Sequence, residues 1–167
     1  MDNFESFFSK LISNPSTNTT IVINGEAKKL KALSRLTSIN YQPEIGDYYK
    51  LVLNDESLLI IVPQDKSIQY AKKELGKAEG IEDSDVGKEE ITYMDKKYKL
   101  INGEDYQFVL QKIVGGLLDM EGECKFSDYV NIDNSDDFLS VGWLSYDNRR
   151  ADVNAFTISI NNLDIIN

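Results

Sequence analysis

The chain reads as an α+β domain made mainly of antiparallel strands, about eight of them in hairpins and a meander, with two or three short helices. Three observations carry that reading. β-Branched and aromatic runs recur at roughly 8–12-residue intervals between turn residues. Helical periodicity is clear only near the N-terminus. Long β-α-β alternation and a glycine-rich phosphate loop are both missing, which argues against a nucleotide fold. The 167 residues suit one domain, and 41% apolar with 28% charged residues is the balance of an ordinary globular chain.

In chain order, Phe4, Phe7, Phe8, Leu11 and Ile12 fall at i, i+3, i+4, i+7 and i+8, one stripe of an amphipathic helix that Asn14-Pro15 ends. The stripe is expected to pack on the domain's own core. The alternative is that Phe4, Phe7 and Phe8 dock a partner or a second copy, giving a homodimer. Thr20–Ile23 is β-branched, and Asn24-Gly25 after it signals a tight turn. Residues 28–36 space Leu30, Leu33 and Leu36 by three among basic residues, which favours a helical turn or two over an irregular strand. Tyr48–Leu53 and Leu58–Val62 flank Asn54-Asp55-Glu56 as a hairpin. Residues 65–75 place Ile68, Ala71, Lys72 and Leu75 at helical spacing, with Gly76 as a stop.

Residues 76–90, with three glycines and six acids, read as an exposed loop and as the hinge between two β-subdomains. A hairpin over 91–101, a strand over 107–114 and strands over 125–132, 138–146 and 153–160 follow.

Composition excludes much chemistry. There is no histidine, so no Ser-His-Asp or Cys-His relay and no mixed Cys/His zinc cage. One cysteine, Cys124, cannot form an internal disulfide and fits a reducing, cytoplasmic setting, as do Asp2 and Glu5 where a signal peptide has basic residues. Its environment predicts a structural rather than a reactive thiol. The net charge is −10, and ten of the acids against three basic residues lie beyond residue 118. Nucleic acid and anionic lipid are therefore poor partners and a basic protein a better one. The longest apolar run, Leu58–Val62, is far too short to span a membrane, so no insertion is expected.

Metal and cofactor motifs are not evident. Asp133, Asn134, Ser135, Asp136 and Asp137 invite a calcium loop, but the sixth position is Phe138 and the twelfth Leu144, where a glycine and a glutamate are required. A turn between strands explains them. The acidic run 79–90 fails the same test, and Asn18-Thr19-Thr20 is an incidental glycosylation pattern. Asp128-Tyr129 and Glu104-Asp105-Tyr106 are the groups to inspect for carboxylate chemistry. Leu139, Val141 and Trp143 alternate onto one face of a strand, which predicts a core tryptophan. The other reading sets Trp143 beside Arg149 and Arg150 as a recognition patch.

Tyr98, the pair Asp128-Tyr129, the strand Leu139-Ser140-Val141-x-Trp143 and the tail at Ile165 resemble an uncharacterised bacterial domain family of unknown function, over residues 91–166. Gly142 departs from that pattern, which has an acid there. The resemblance implies no activity.

These features favour a non-catalytic, acidic accessory module that binds protein, an inhibitor or immunity-type protein included. Asp128, Tyr129, Asp136, Asp137, Arg149 and Arg150 are its candidate partner-binding residues. The alternative is an enzyme with Asp128 and Tyr129 as acid/base pair and Arg149 or Arg150 binding an anionic substrate.

Overall fold

The structure, a computed structural model, describes residues 2–38, 46–102, 107–115, 122–144 and 148–166. Among the described residues one α-helix, α1 (Asn3–Ser13), precedes thirteen strands. These are β1 (Thr20–Ile23), β2 (Glu26–Ser38), β3 (Tyr48–Leu53), β4 (Leu58–Val62), β5 (Ser67–Ala71), β6 (Glu90–Tyr93) and β7 (Lys96–Asn102). They continue with β8 (Gln107–Gly115), β9 (Gly122–Asn131), β10 (Asn134–Leu144), β11 (Arg149–Arg150), β12 (Val153–Thr157) and β13 (Leu163–Ile166). The prediction of a mainly antiparallel β protein holds. The numbers do not: among the described residues there are thirteen strands rather than about eight, and one α-helix rather than two or three.

Among the described residues every strand pairing is antiparallel, and eight strands close on themselves in the order β2-β3-β4-β5-β12-β10-β9-β8 and back to β2. The result is a barrel assembled from two meanders. β2–β5 form one; β8, β9, β10 and β12 form the other. Their seams are β2–β8 and β5–β12. The β6–β7 hairpin extends the wall from β9, and β1 pairs with both β2 and β13 outside the ring.

Strand pleating gives the wall two different faces. On the outside of the first meander, Leu51, Leu53, Leu59, Ile61 and Ile68 pack under Phe4, Phe7 and Leu11 of α1, with Ile21, Ile23 and Ile165 beside them. The inward residues of the same strands, among them Lys50, Val52, Ile60, Val62, Ser67 and Gln69, line the barrel interior. This explains why β4 reads as an unbroken apolar run, since both of its faces are covered. The helix itself is fixed by a capping box: Glu5 N donates to Asp2 Oδ1 at 2.8 Å and Asp2 N to Glu5 Oε2 at 3.2 Å. Its phenylalanine stripe packs on the chain's own sheet, with Phe4 and Phe7 buried and Phe8 against Tyr49.

Two helix expectations are corrected. Residues 28–36 belong to β2, whose register against β3 slips between Leu30 and Ala32. That bulge inserts one residue, so Leu30 and Leu33 reach the same outer core at a spacing of three. Residues 65–75 begin with a 3-10 turn at Pro63–Asp65 and continue as β5. Ile68 faces the outer core while Ala71 packs with Leu58, Val153 and Ala155. Apolar residues on both faces of one strand imitated a helical stripe.

The acidic segment 76–90 is also more than an exposed loop. Glu79, Glu82, Glu89 and Glu90 are exposed, but Ala78 and Ile81 are fully buried, packed with Ile91, Tyr98, Tyr129, Leu139 and Val141 on the outside of the second meander. Among the described residues no helix is long and apolar enough to cross a membrane.

Candidate functional site in the barrel interior

The inward face of the barrel encloses a cavity of about 490 Å³. Its apolar lining comes from Leu36, Val52, Ile60, Phe126, Leu144 and Val153. Into this surface the sequence sets a few polar groups: Ser34 from β2, Tyr48 and Lys50 from β3, Gln69 from β5, Asp128 from β9 and Ser140 from β10. Eight strands are the number that leaves an interior filled by side chains or open for one small ligand.

Lys50 is the unusual member. Among the described residues its ammonium makes no hydrogen bond and no ion pair. Burial pulls its pKa below the ordinary lysine value; Glu74 opposes that effect and Arg149 adds to it. Glu74 is itself committed to Arg149, whose Nη1 lies at 2.7 Å. Ser34 is the register partner of Lys50 across β2–β3, so the two side chains share the inner face as neighbours. Elsewhere in the interior, Tyr48 has its hydroxyl pKa raised well above the ordinary value by burial and then by Asp128. Cys124 is fully buried with Leu36, Phe126, Leu144 and Ala151, a structural thiol by position.

Outside the barrel, two charged knots are built into the wall. Arg150 is paired with Trp143 in register, and its guanidinium lies 5.6 Å from the indole ring. Its Nε and Nη2 donate to the two oxygens of Asp152 at 3.0 and 2.5 Å, and Nη1 donates to Asp83 Oδ1 at 2.9 Å and to the carbonyl of Ile81 at 3.2 Å. Asp152, fully buried, also accepts from Ala78 N at 2.8 Å and Gly142 N at 3.1 Å. This knot pins the acidic segment to the second meander. The other knot centres on Asp137, also fully buried, which accepts from Tyr98 Oη at 2.9 Å, Asn131 Nδ2 at 2.9 Å and Asn154 Nδ2 at 2.7 Å.

The candidate residues therefore do not share one surface. Asp128 lines the cavity. Tyr129, its chain neighbour, points to the opposite face, where its hydroxyl donates to Lys88 O at 2.8 Å and accepts from Gly87 N at 2.9 Å. The pleat separates the proposed acid/base pair. Asp136 is exposed, Asp137 and Arg150 are buried in their knots, and Arg149 is paired with Glu74. Glu104-Asp105-Tyr106 lies outside the described residues.

Leu139 and Val141 are fully buried as alternation demands, whereas Trp143 on the same face is half-buried, lying over Arg150 rather than inside the core. Gly142 cannot carry the acid of the resembled pattern: a Cβ there would sit 2.0 Å from the carbonyl oxygen of Lys125. Among the described residues no group of three or more Asp, Glu or Cys side chains could hold a metal ion. No family model matches the chain, and no curated protein or solved structure is significantly similar to it.

The sequence carries a signal for Lys50 that motif and composition do not single out. Tyr48 to Leu53 is apolar in both phases of the strand except at Lys50. A lone charge in a strand covered on both faces is an anomaly. Arg150 and Asp152 are opposite charges two residues apart, a spacing that puts both on one side of an extended chain.

Proposed function

We propose that this chain is a non-catalytic binding protein that encloses one small, largely apolar molecule inside its barrel. The observation that carries the reading is the cavity of about 490 Å³, with an apolar lining and a few convergent polar groups. That volume lies within the roughly 300–1,000 Å³ of ligand pockets in general. The test uses the neutral dye N-phenyl-1-naphthylamine, titrated into wild type and into the cavity-filling variants Ala155→Phe and Ser67→Phe. One dye per chain should bind with enhanced, blue-shifted fluorescence, and at least one folded variant should lose it. No dye uptake by wild type, or equal uptake by both folded variants, would end this reading.

A second reading, an acidic module that binds a basic protein as an inhibitor or immunity-type protein does, is supported by the acidic segment. Ala78 and Ile81 hold it against the barrel while Glu79, Glu82, Glu89 and Glu90 stay exposed. A partner recovered at low ionic strength should be released by salt and lost when Glu79 and Glu89 are reversed to lysine.

A further inference from the structure

Four features gather charged or polar groups that could select a ligand: the Lys50 site, the shallow polar hollow beside α1 lined by Asn3, Ser6, Lys10 and Asp164, the Arg150 knot and the Asp137 knot. The hollow is open, and its charged and amide side chains, Asn3, Lys10, Asn161 and Asp164, are exposed. Both knots have their charges satisfied within the protein. The Lys50 site differs from all of these.

We propose that the molecule held in the barrel is an amphiphile with a carboxylate head, which pairs with Lys50 and takes a second hydrogen bond from Ser34. This rests on the reading of the interior as a ligand cavity, and it names the ligand's chemistry. Lys50, half-buried, carries its ammonium on a largely apolar inner wall without a bonded partner among the described residues, and drawing such a charge away from water is costly. A bound anion removes that cost, because a charge-assisted hydrogen bond gains strength where water is scarce. Ser34 is buried, lines the same cavity and is the cross-strand neighbour of Lys50. Its hydroxyl also makes no hydrogen bond to the protein among the described residues. An ammonium and a hydroxyl on adjacent strands offer two donors to the two oxygens of one carboxylate.

The two carboxylates of the lining do not reverse this polarity. Asp128 is already engaged within the protein and acts on Tyr48, and Asp65 is exposed at the rim. One cation matches one negative charge. The remaining lining, with Val52, Ile60, Phe126 and Val153, is apolar and suits an alkyl or ring body.

The experiment is a competition series against the bound naphthylamine dye, with dodecanoate, 1-dodecanol and dodecyltrimethylammonium as probes of one chain length. Wild type should release dye to dodecanoate at a concentration at least about tenfold lower than to dodecanol, and least readily to the cation. Lys50→Met should keep dye and dodecanol binding and lose the preference for the acid. Ser34→Ala should lower that preference by a few-fold. Equal competition by acid and alcohol, preference for the cation, or a preference that survives in Lys50→Met would overturn the inference while leaving the cavity reading intact. Failure of dye and all three probes to bind would instead remove the cavity reading, and this inference with it.

Discussion

Arg150 and Lys50 are both cations drawn away from bulk water, one on the outer side of the barrel wall and one on the inner. Arg150 makes four hydrogen bonds: two to Asp152, one to Asp83 and one to the carbonyl of Ile81, with Trp143 over its face. Lys50 makes none among the described residues. Asp137 follows the Arg150 pattern, with three neutral donors and the Lys96 ammonium at 4.0 Å around a fully buried carboxylate. Where a charge holds two parts of the chain together, the fold surrounds it with partners. The cation left without them stands where a cavity could supply one. The comparison separates charges that serve the fold from a charge that serves a ligand, and it can be broken at each member.

The largest effect is expected at Arg150. Arg150→Met leaves Asp152 buried without its cation, a change that costs about 3–5 kcal/mol in comparable buried pairs. Denaturant unfolding measures it, and proteolysis between residues 76 and 90 should accelerate because the knot pins that segment. A loss under about 1 kcal/mol would mean that Arg150 is not the anchor. Asp137→Asn should cost less, about 1–3 kcal/mol, since an amide must now face the side-chain amides of Asn131 and Asn154 with one acceptor oxygen fewer. An unchanged midpoint would show that the second knot is not needed.

Local features were legible in the sequence because local physics sets them. The stripe from Phe4 to Leu11 became α1, Asn24-Gly25 became a turn with φ of 52° and 84°, and the hairpins around Asn54 and Met94 formed where turn residues stood. β2 imitates a helix in sequence because a bulge gives a strand helical spacing, and β5 does so because both of its faces are covered. Barrel closure was not legible at all. The seams β2–β8 and β5–β12 join segments distant in the chain, and no local pattern records which edges meet.

The same limit applied to the site. Asp128 stood out through its neighbour Tyr129, yet the pleat points that neighbour away, and what faces the cavity with Asp128 is Tyr48 and Lys50 from another meander. Asp137 looked like a turn residue among turn residues. Its burial depends on Tyr98 and Asn154, which only the folded sheet brings to it.

The most direct test of the central claim is the thermal midpoint of ligand-free Lys50→Met against wild type, followed from acid to alkaline pH. Burial lowers the Lys50 pKa in the folded state, so in the window up to the ordinary lysine value the unfolded chain binds more protons and wild-type stability from this group rises with pH. The variant lacks that rise. It should melt above wild type below the window, with the gap closing as pH increases through it. A variant that melts below wild type at every pH, as Arg150→Met should, would contradict the account and place Lys50 among the charges that hold the fold together.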